Sequence, residues 1–324
     1  MSLVLTAACP AFTVQVSDRL ISTEDRRPNL AINRPAKRSP FDALSNKSIV
    51  YRARDAIVSM GYVGSAYLER KPTDEWIAER LWGEPLTVRT PDGRIPICVG
   101  PAPRSRDIGL AVRALEEALA SVAPTEHGLT IAIAGWQAVR KNAGRPIVIE
   151  LGKRPNDRSV SRFRSPRWLP KDRNLLVGEI GGYLTREQHE SLGKKLVGAS
   201  RSKDVLEAFE SILAKTIRVV SATNSSVGPN LMSVIIPSAR RGSPRVRFLP
   251  SLEHQIEVRS AGELRVLSAS YSPWLIGPGI LYPPSIIVGT HSVILGGIEV
   301  TIQADEPTGS IMGLSSTQKR PPAP

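Results

Sequence analysis

Cysteine is scarce in this chain, and so are histidine and aromatic side chains: two Cys, four His and 5% Phe, Trp and Tyr among 324 residues. Cys9 and Cys98 cannot form the disulfide framework of a small secreted domain, which fits a reducing cytoplasm as the expected location. His127, His189, His254 and His291 stand apart, with no cysteine or carboxylate at metal-ligand spacing, so neither a metal nor an organic cofactor is expected. A long uninterrupted apolar run is also missing. The stretch from Trp274 to Val300 is broken by Gly277, Pro278, Gly279, Pro283, Pro284 and Gly289 and alternates as strands do, which argues against a membrane span. The opening, Met1 to Cys9, places small residues before a cysteine, but it has no basic start and is too short for a lipoprotein leader.

What is present suffices for a folded domain: 41% of the residues are hydrophobic, enough to build a core at this length. The formal charge of +13 raises the question of an anionic partner such as nucleic acid. The basic residues gather in apparent loops, Lys153 to Arg173 and Arg240 to Arg247, with no recognition helix, zinc finger or RNA-binding signature beside them. Two readings stay open, a solvated basic surface and a patch that takes an anionic partner.

Along the chain, SLVLTA and FTVQVS read as a hairpin that starts at the N-terminus, with Phe12, Val14 and Val16 alternating. Residues 20 to 41 are polar and rich in Pro and Arg and read as a loop or insertion. Strands resume at Lys47 to Tyr51 and at Ala56 to Met60. A helix capped by Thr73 carries Trp76, Ile77, Leu81 and Trp82 and stops at Gly83; a second runs from Asp107 to Val122. Apolar runs at 129–134, 146–151 and 175–181 read as strands, 186–220 as helical and 231–237 as a buried strand. Strict strand–helix alternation is absent, so the expected class is α+β, two packed antiparallel sheets covered by helices.

The second residue draws attention for a chemical reason. If Met1 is removed, Ser2 carries a free α-amine whose ordinary pKa of roughly 7.7–8.0 suits a general base. One residue then supplies both hydroxyl nucleophile and base. Such a site needs a cation beside the hydroxyl, a carboxylate to hold that cation, and backbone donors for the oxyanion. Asp18 at the end of the second strand, Lys47 at the start of the third and the turn Gly61 to Ala66 are candidates for these parts. Taken singly, Asp18–Arg19 reads as a turn ion pair, Lys47 as a solvated cation and Gly61 and Gly64 as turn glycines.

The run Ser2, Val16-Ser17-Asp18-Arg19, Asn46-Lys47 and Gly61-Tyr62-Val63-Gly64-Ser65-Ala66 resembles proteasome β subunits and bacterial proteasome-related proteins, most closely over residues 2 to 82. The resemblance implies an N-terminal-nucleophile hydrolase with a four-layer αββα fold. It implies Ser2 as nucleophile, Lys47 and Asp18 as its activating pair, Gly64 as oxyanion donor, and Tyr62 and Ala66 as walls of the substrate pocket. The family's later acid-plus-serine element falls nearest Asn224 and Ser226. A peptide or amide substrate and homo-oligomerisation, up to a closed ring, follow from the same resemblance, as does an ATPase partner. The alternative is an inactive scaffold of the same fold, recruiting an anionic partner through its basic loops. The chain departs from the family in three places: Ser instead of Thr at the nucleophile, a longer segment between Asp18 and Lys47, and Asn at 224. The expected organisation is a hydrolase domain over 1–248, a strand-rich extension over 249–305 and a disordered tail over 306–324.

Overall fold

The N-terminal hairpin forms as the alternation predicts: strand Val4–Cys9 pairs antiparallel with Phe12–Asp18, Val4 opposite Ser17 and Cys9 opposite Phe12. The computed structural model describes residues 2–24, 38–42, 45–83, 106–125, 127–140, 143–157, 159–163, 167–168, 175–238, 242–250, 256–260, 263–267, 269–284, 286–288, 293–295 and 297–302. The expected tail over 306–324, Cys98, about half of the basic stretch 153–173 and positions 240–241 of the other lie outside these residues.

The hairpin sits inside an eight-stranded sheet ordered Arg167–Trp168, Leu176–Ile180, Val4–Cys9, Phe12–Asp18, Leu231–Pro237, Arg245–Leu249, Ile298–Ile302, Val293–Leu295. A seven-stranded sheet runs Val160–Phe163, Ala143–Lys153, Leu129–Arg140, Ala56–Gly64, Ser48–Arg52, Leu275–Gly277, Ile280–Tyr282. Four helices accompany them among the described residues: α1 (Thr73–Trp82), α2 (Ile108–Ser121), α3 (Arg186–Ala199) and α4 (Val205–Thr223).

Each sheet uses its two faces differently. Val14 and Val16 join Leu192, Leu196, Phe209 and Leu213 of α3 and α4 in one core, where the rings of Phe12 and Phe209 meet edge-on at 5.3 Å. Thr13 and Gln15, on the opposite face of the same strand, point at the other sheet, donating to the carbonyls of Gly135 and Ala132, each at 3.1 Å. Ser59 Oγ donates back to Gln15 Oε1 at 2.7 Å, so the polar groups enclosed between the sheets satisfy one another. In the second sheet Val58, Met60, Ile131 and Ile133 pack under Trp76 and Ile77 of α1 and Leu115 and Leu119 of α2. The period of two thus sends apolar residues to the helices and a mixed set to the sheet–sheet contact.

Several expectations need correction. Each sheet contains one parallel joint, Arg245–Leu249 with Ile298–Ile302 and Ser48–Arg52 with Leu275–Gly277, so neither is purely antiparallel. Both joints are made by strands that arrive from far along the chain, where no tight hairpin dictates direction. The stretch read as helical over 186–220 divides into α3 and α4, the first opened by a capping box between Thr185 and Gln188. Thr73 is not the cap of α1 but its first residue; its hydroxyl is spent on the carbonyl of Ser65, 2.7 Å away. Gly83 does end α1, in the left-handed conformation that favours glycine.

Candidate active site

The hairpin register decides where Asp18 lies. With Val4 opposite Ser17, the next residue reaches the backbone of Leu3: the Leu3 amide donates to Asp18 Oδ1 at 2.8 Å and the Asp18 amide to the Leu3 carbonyl at 3.1 Å. Asp18 Oδ2 accepts from the amides of Leu20 at 3.1 Å and Gly228 at 3.2 Å, and from Lys47 Nζ at 2.9 Å.

Lys47 immediately precedes strand Ser48–Arg52 and extends from the other sheet. Its ammonium donates to Ser2 Oγ at 2.6 Å, to Asp18 and to the carbonyl of Leu20. Ser2, Asp18 and Lys47 are 6%, 0% and 2% exposed. A buried ion pair is tolerated only when its remaining hydrogen-bonding capacity is filled, and here three amides serve the carboxylate and two further oxygens serve the ammonium. The arrangement holds a serine hydroxyl against a fixed cation with solvent largely excluded.

Gly64 closes its strand at φ 108°, and a Cβ there would stand 2.5 Å from the Gly128 carbonyl, so this position accepts only glycine. That carbonyl already accepts from the Ser65 amide at 2.9 Å. Gly181, at φ 125°, lies directly over Ser2: a Cβ at 181 would collide with the Ser2 carbonyl oxygen. A cleft of about 380 Å³ extends from Ser2 between Gly64, Leu129, Arg154 and the Gly181–Gly182 pair.

No protein-family model matches the chain. No curated protein matches it. Among solved structures, the chain is similar to the Anbu (Gly-1) mutant from Hyphomicrobium sp. strain MC1, with 13% identity over 72% of this chain and 81% of that one and a TM-score of 0.40. It is also similar to Anbu (ancestral beta-subunit) from Yersinia bercovieri, with 11% identity over 72% of this chain and 80% of that one and a TM-score of 0.38. Likenesses this distant assign no residue a role, and the site rests on its own geometry.

Of the residues singled out in the sequence, Ser2, Asp18 and Lys47 meet, and Gly64 borders the same cleft. Tyr62 and Ala66 are not among the residues that line it. Tyr62 is buried in the core beneath α1, its hydroxyl donating to the Asn46 carbonyl at 3.0 Å, and burial pushes its phenol well above the usual tyrosine value. Ala66 offers its carbonyl to the Thr73 amide. Ser226 is buried with its amide bonded to Asn224 Oδ1 at 2.9 Å, and two residues later the Gly228 amide reaches Asp18. Asn224 therefore shapes the loop instead of supplying a charge.

Sequence reasoning missed Leu20 and Gly228, because both act through backbone atoms that carry no residue-type signal. It missed Gly181 as well, although a glycine pair directly after a strand was a visible mark of close backbone approach.

Proposed function

We propose that this chain is an N-terminal-nucleophile amide-bond hydrolase of proteasome-like four-layer αββα architecture, with Ser2 as nucleophile once Met1 has been removed. The observation that carries this reading is the buried triad in which Lys47 Nζ lies 2.6 Å from Ser2 Oγ and 2.9 Å from Asp18 Oδ2.

The free α-amine of Ser2 takes the hydroxyl proton while Oγ attacks the carbonyl carbon of a peptide or amide. Lys47, held as an ammonium by Asp18, stabilises the alkoxide that develops. The tetrahedral intermediate collapses as the leaving nitrogen receives the proton from the α-ammonium, leaving an ester on Ser2. Water, deprotonated by the same amine, then attacks the ester and releases the acid, restoring Oγ–H.

For the oxyanion the reading uses the amide of Gly64. Tyr62 directs its N–H to the Lys47 carbonyl at 2.9 Å, and N–H directions alternate along a strand. Two residues on, the Gly64 N–H faces the same side, past the end of strand Ser48–Arg52. The Ser65 amide, bonded to Gly128, is not available for this task.

The test is an intact-mass measurement followed by exposure to an amine- and hydroxyl-directed electrophile such as an epoxyketone. The expected result is a chain lacking Met1 that gains one adduct on Ser2, with none on Ser2→Ala. A chain that has lost Met1 and still takes no adduct would leave the inactive-scaffold reading in its place.

A further inference from the structure

The strands beyond residue 249 had no task in the sequence, yet one of them stands directly behind the proposed site. Strand Leu275–Gly277 lies parallel to Ser48–Arg52, with Leu275 opposite Val50 and Ile276 opposite Tyr51. The Val50 amide donates to the Trp274 carbonyl at 2.9 Å. Without this neighbour, the strand that Lys47 introduces would be the edge of its sheet, the position where backbone groups go unpaired.

The link continues to the residue before Lys47. Asn46 Nδ2 donates to the Ser272 carbonyl at 2.7 Å, across 226 positions of sequence. Its Oδ1 accepts from Arg19 Nη2 at 3.3 Å, and its backbone carbonyl accepts from the Tyr62 hydroxyl at 3.0 Å. Asn46, Arg19 and Ser272 are 6%, 2% and 0% exposed. Arg19 follows Asp18, so one buried side-chain amide joins the chain neighbours of Lys47 and Asp18 to the C-terminal segment.

We infer that the segment Ser272 to Ile276 is an intrachain brace for Lys47, acting through Asn46 as a positioning residue. Hydrogen bonds enclosed from water are costly to leave unmade, so the three partners of Asn46 fix its backbone, and the peptide it shares with Lys47 inherits that placement. A long side chain projecting from an unbraced edge would sample several rotamers and hold the Ser2 hydroxyl only part of the time. The inference rests on the reading of Ser2 as nucleophile, and its test separates the two.

In the full-length chain, Asn46→Ala and Asn46→Asp are compared with wild type by the rate of electrophile addition to Ser2 against pH, and by amide hydrogen exchange. Asn46→Asp keeps the acceptor used by Arg19 but replaces the donor to Ser272 with a carboxylate oxygen, whose charge also acts on the α-amine, so if the alanine variant fails to fold it serves by rate and exchange alone. The expected result for either variant is addition slowed about tenfold or more. The midpoint of the pH profile should move upward in Asn46→Ala, because a cation held near the α-amine favours its neutral form and a displaced one does not. Exchange should quicken at residues 45–50 and 272–276. An unchanged rate and midpoint, or faster exchange spread evenly over the chain with an unmoved midpoint, would overturn the brace. If wild-type chain lacking Met1 takes no adduct, the nucleophile reading falls and exchange alone decides: local quickening upholds the brace and unchanged exchange overturns it.

Discussion

Asp18 and Lys47 meet at 2.9 Å with side chains 0% and 3% exposed, and the two are unequally provided for. Asp18 keeps three backbone amides if Lys47 is lost, whereas Lys47 without Asp18 loses its carboxylate and keeps the neutral oxygens of Ser2 and Leu20. Asp18→Asn should therefore cost about 3–5 kcal/mol, the range for stranding one partner of a buried pair. Lys47→Met should cost distinctly less. Both should slow adduct formation on Ser2 at least about a hundredfold, the scale of losing one charged stabiliser of a developing alkoxide. Urea unfolding and labelling of the two variants check this; equal stability losses would contradict the asymmetry.

Gly181 and Gly182 separate backbone strain from displacement of Ser2. Both have positive φ, at 125° and 72°, so alanine at either carries a conformational cost of about 1 kcal/mol or more. Only at 181 would the new Cβ strike the Ser2 carbonyl; at 182 nothing lies within 4 Å. Gly181→Ala should lose more stability and much more Ser2 labelling than Gly182→Ala, as thermal unfolding and labelling rates would show. Equal labelling in the two variants would mean that residue 181 does not set the position of Ser2.

The residues that were legible in the sequence are those with a side-chain task near in sequence to a strong pattern. The alternation of Phe12, Val14 and Val16 set a hairpin, and the hairpin brought Asp18 to Leu3 without further information. Lys47 was legible because a polar residue opening an apolar strand marks a strand end beside the hairpin. Backbone donors such as the Gly228 amide were not, since any residue type supplies one. The C-terminal strands were read as strands, but their parallel joints depend on packing against Val50, Val234 and Val246, which lie far away in the sequence. Tyr62 illustrates the limit of an alternating pattern: it belongs to the face that α1 covers, and the sequence around it does not say which face the cleft occupies.

Charge around the cleft should bias which electrophiles reach Ser2. Lys153 lines it, but its ammonium is spent on the carbonyls of Leu119, at 2.7 Å, and Val122, closing the end of α2. Glu150 is also engaged. Arg154 and His127 line the same cleft with no partner among the described residues. An acidic peptide electrophile should therefore add to Ser2 several-fold faster than its amide-capped counterpart at low salt, and the gap should shrink as salt is raised. Arg154→Ala should narrow the gap in the same way. A preference for the neutral peptide at low salt would contradict it.

Asp74 gives the fold a pH dependence whose sign can be worked out. It is half-buried in the first turn of α1, and burial pushes its carboxyl from 3.8 up to about 6, partly offset by the amides of Glu75 and Asp74 and a hydrogen bond from Trp274. Between about 4 and 6 the folded chain binds this proton and the unfolded chain does not, so stability falls as pH rises through that window and levels off above it. Asp74→Asn removes the slope. Above pH 6 the variant should be more stable than wild type by on the order of 3 kcal/mol, reduced by a few tenths for the lost negative charge at a helix N-terminus. Near pH 4 the two should converge. Because every other titrating group is common to both chains, the difference between their urea midpoints across pH 4 to 7.5 isolates this one carboxyl. Curves that stay parallel throughout would show that Asp74 titrates alike in the folded and unfolded chains, and that the contact between α1 and Trp274 does not exclude solvent from it.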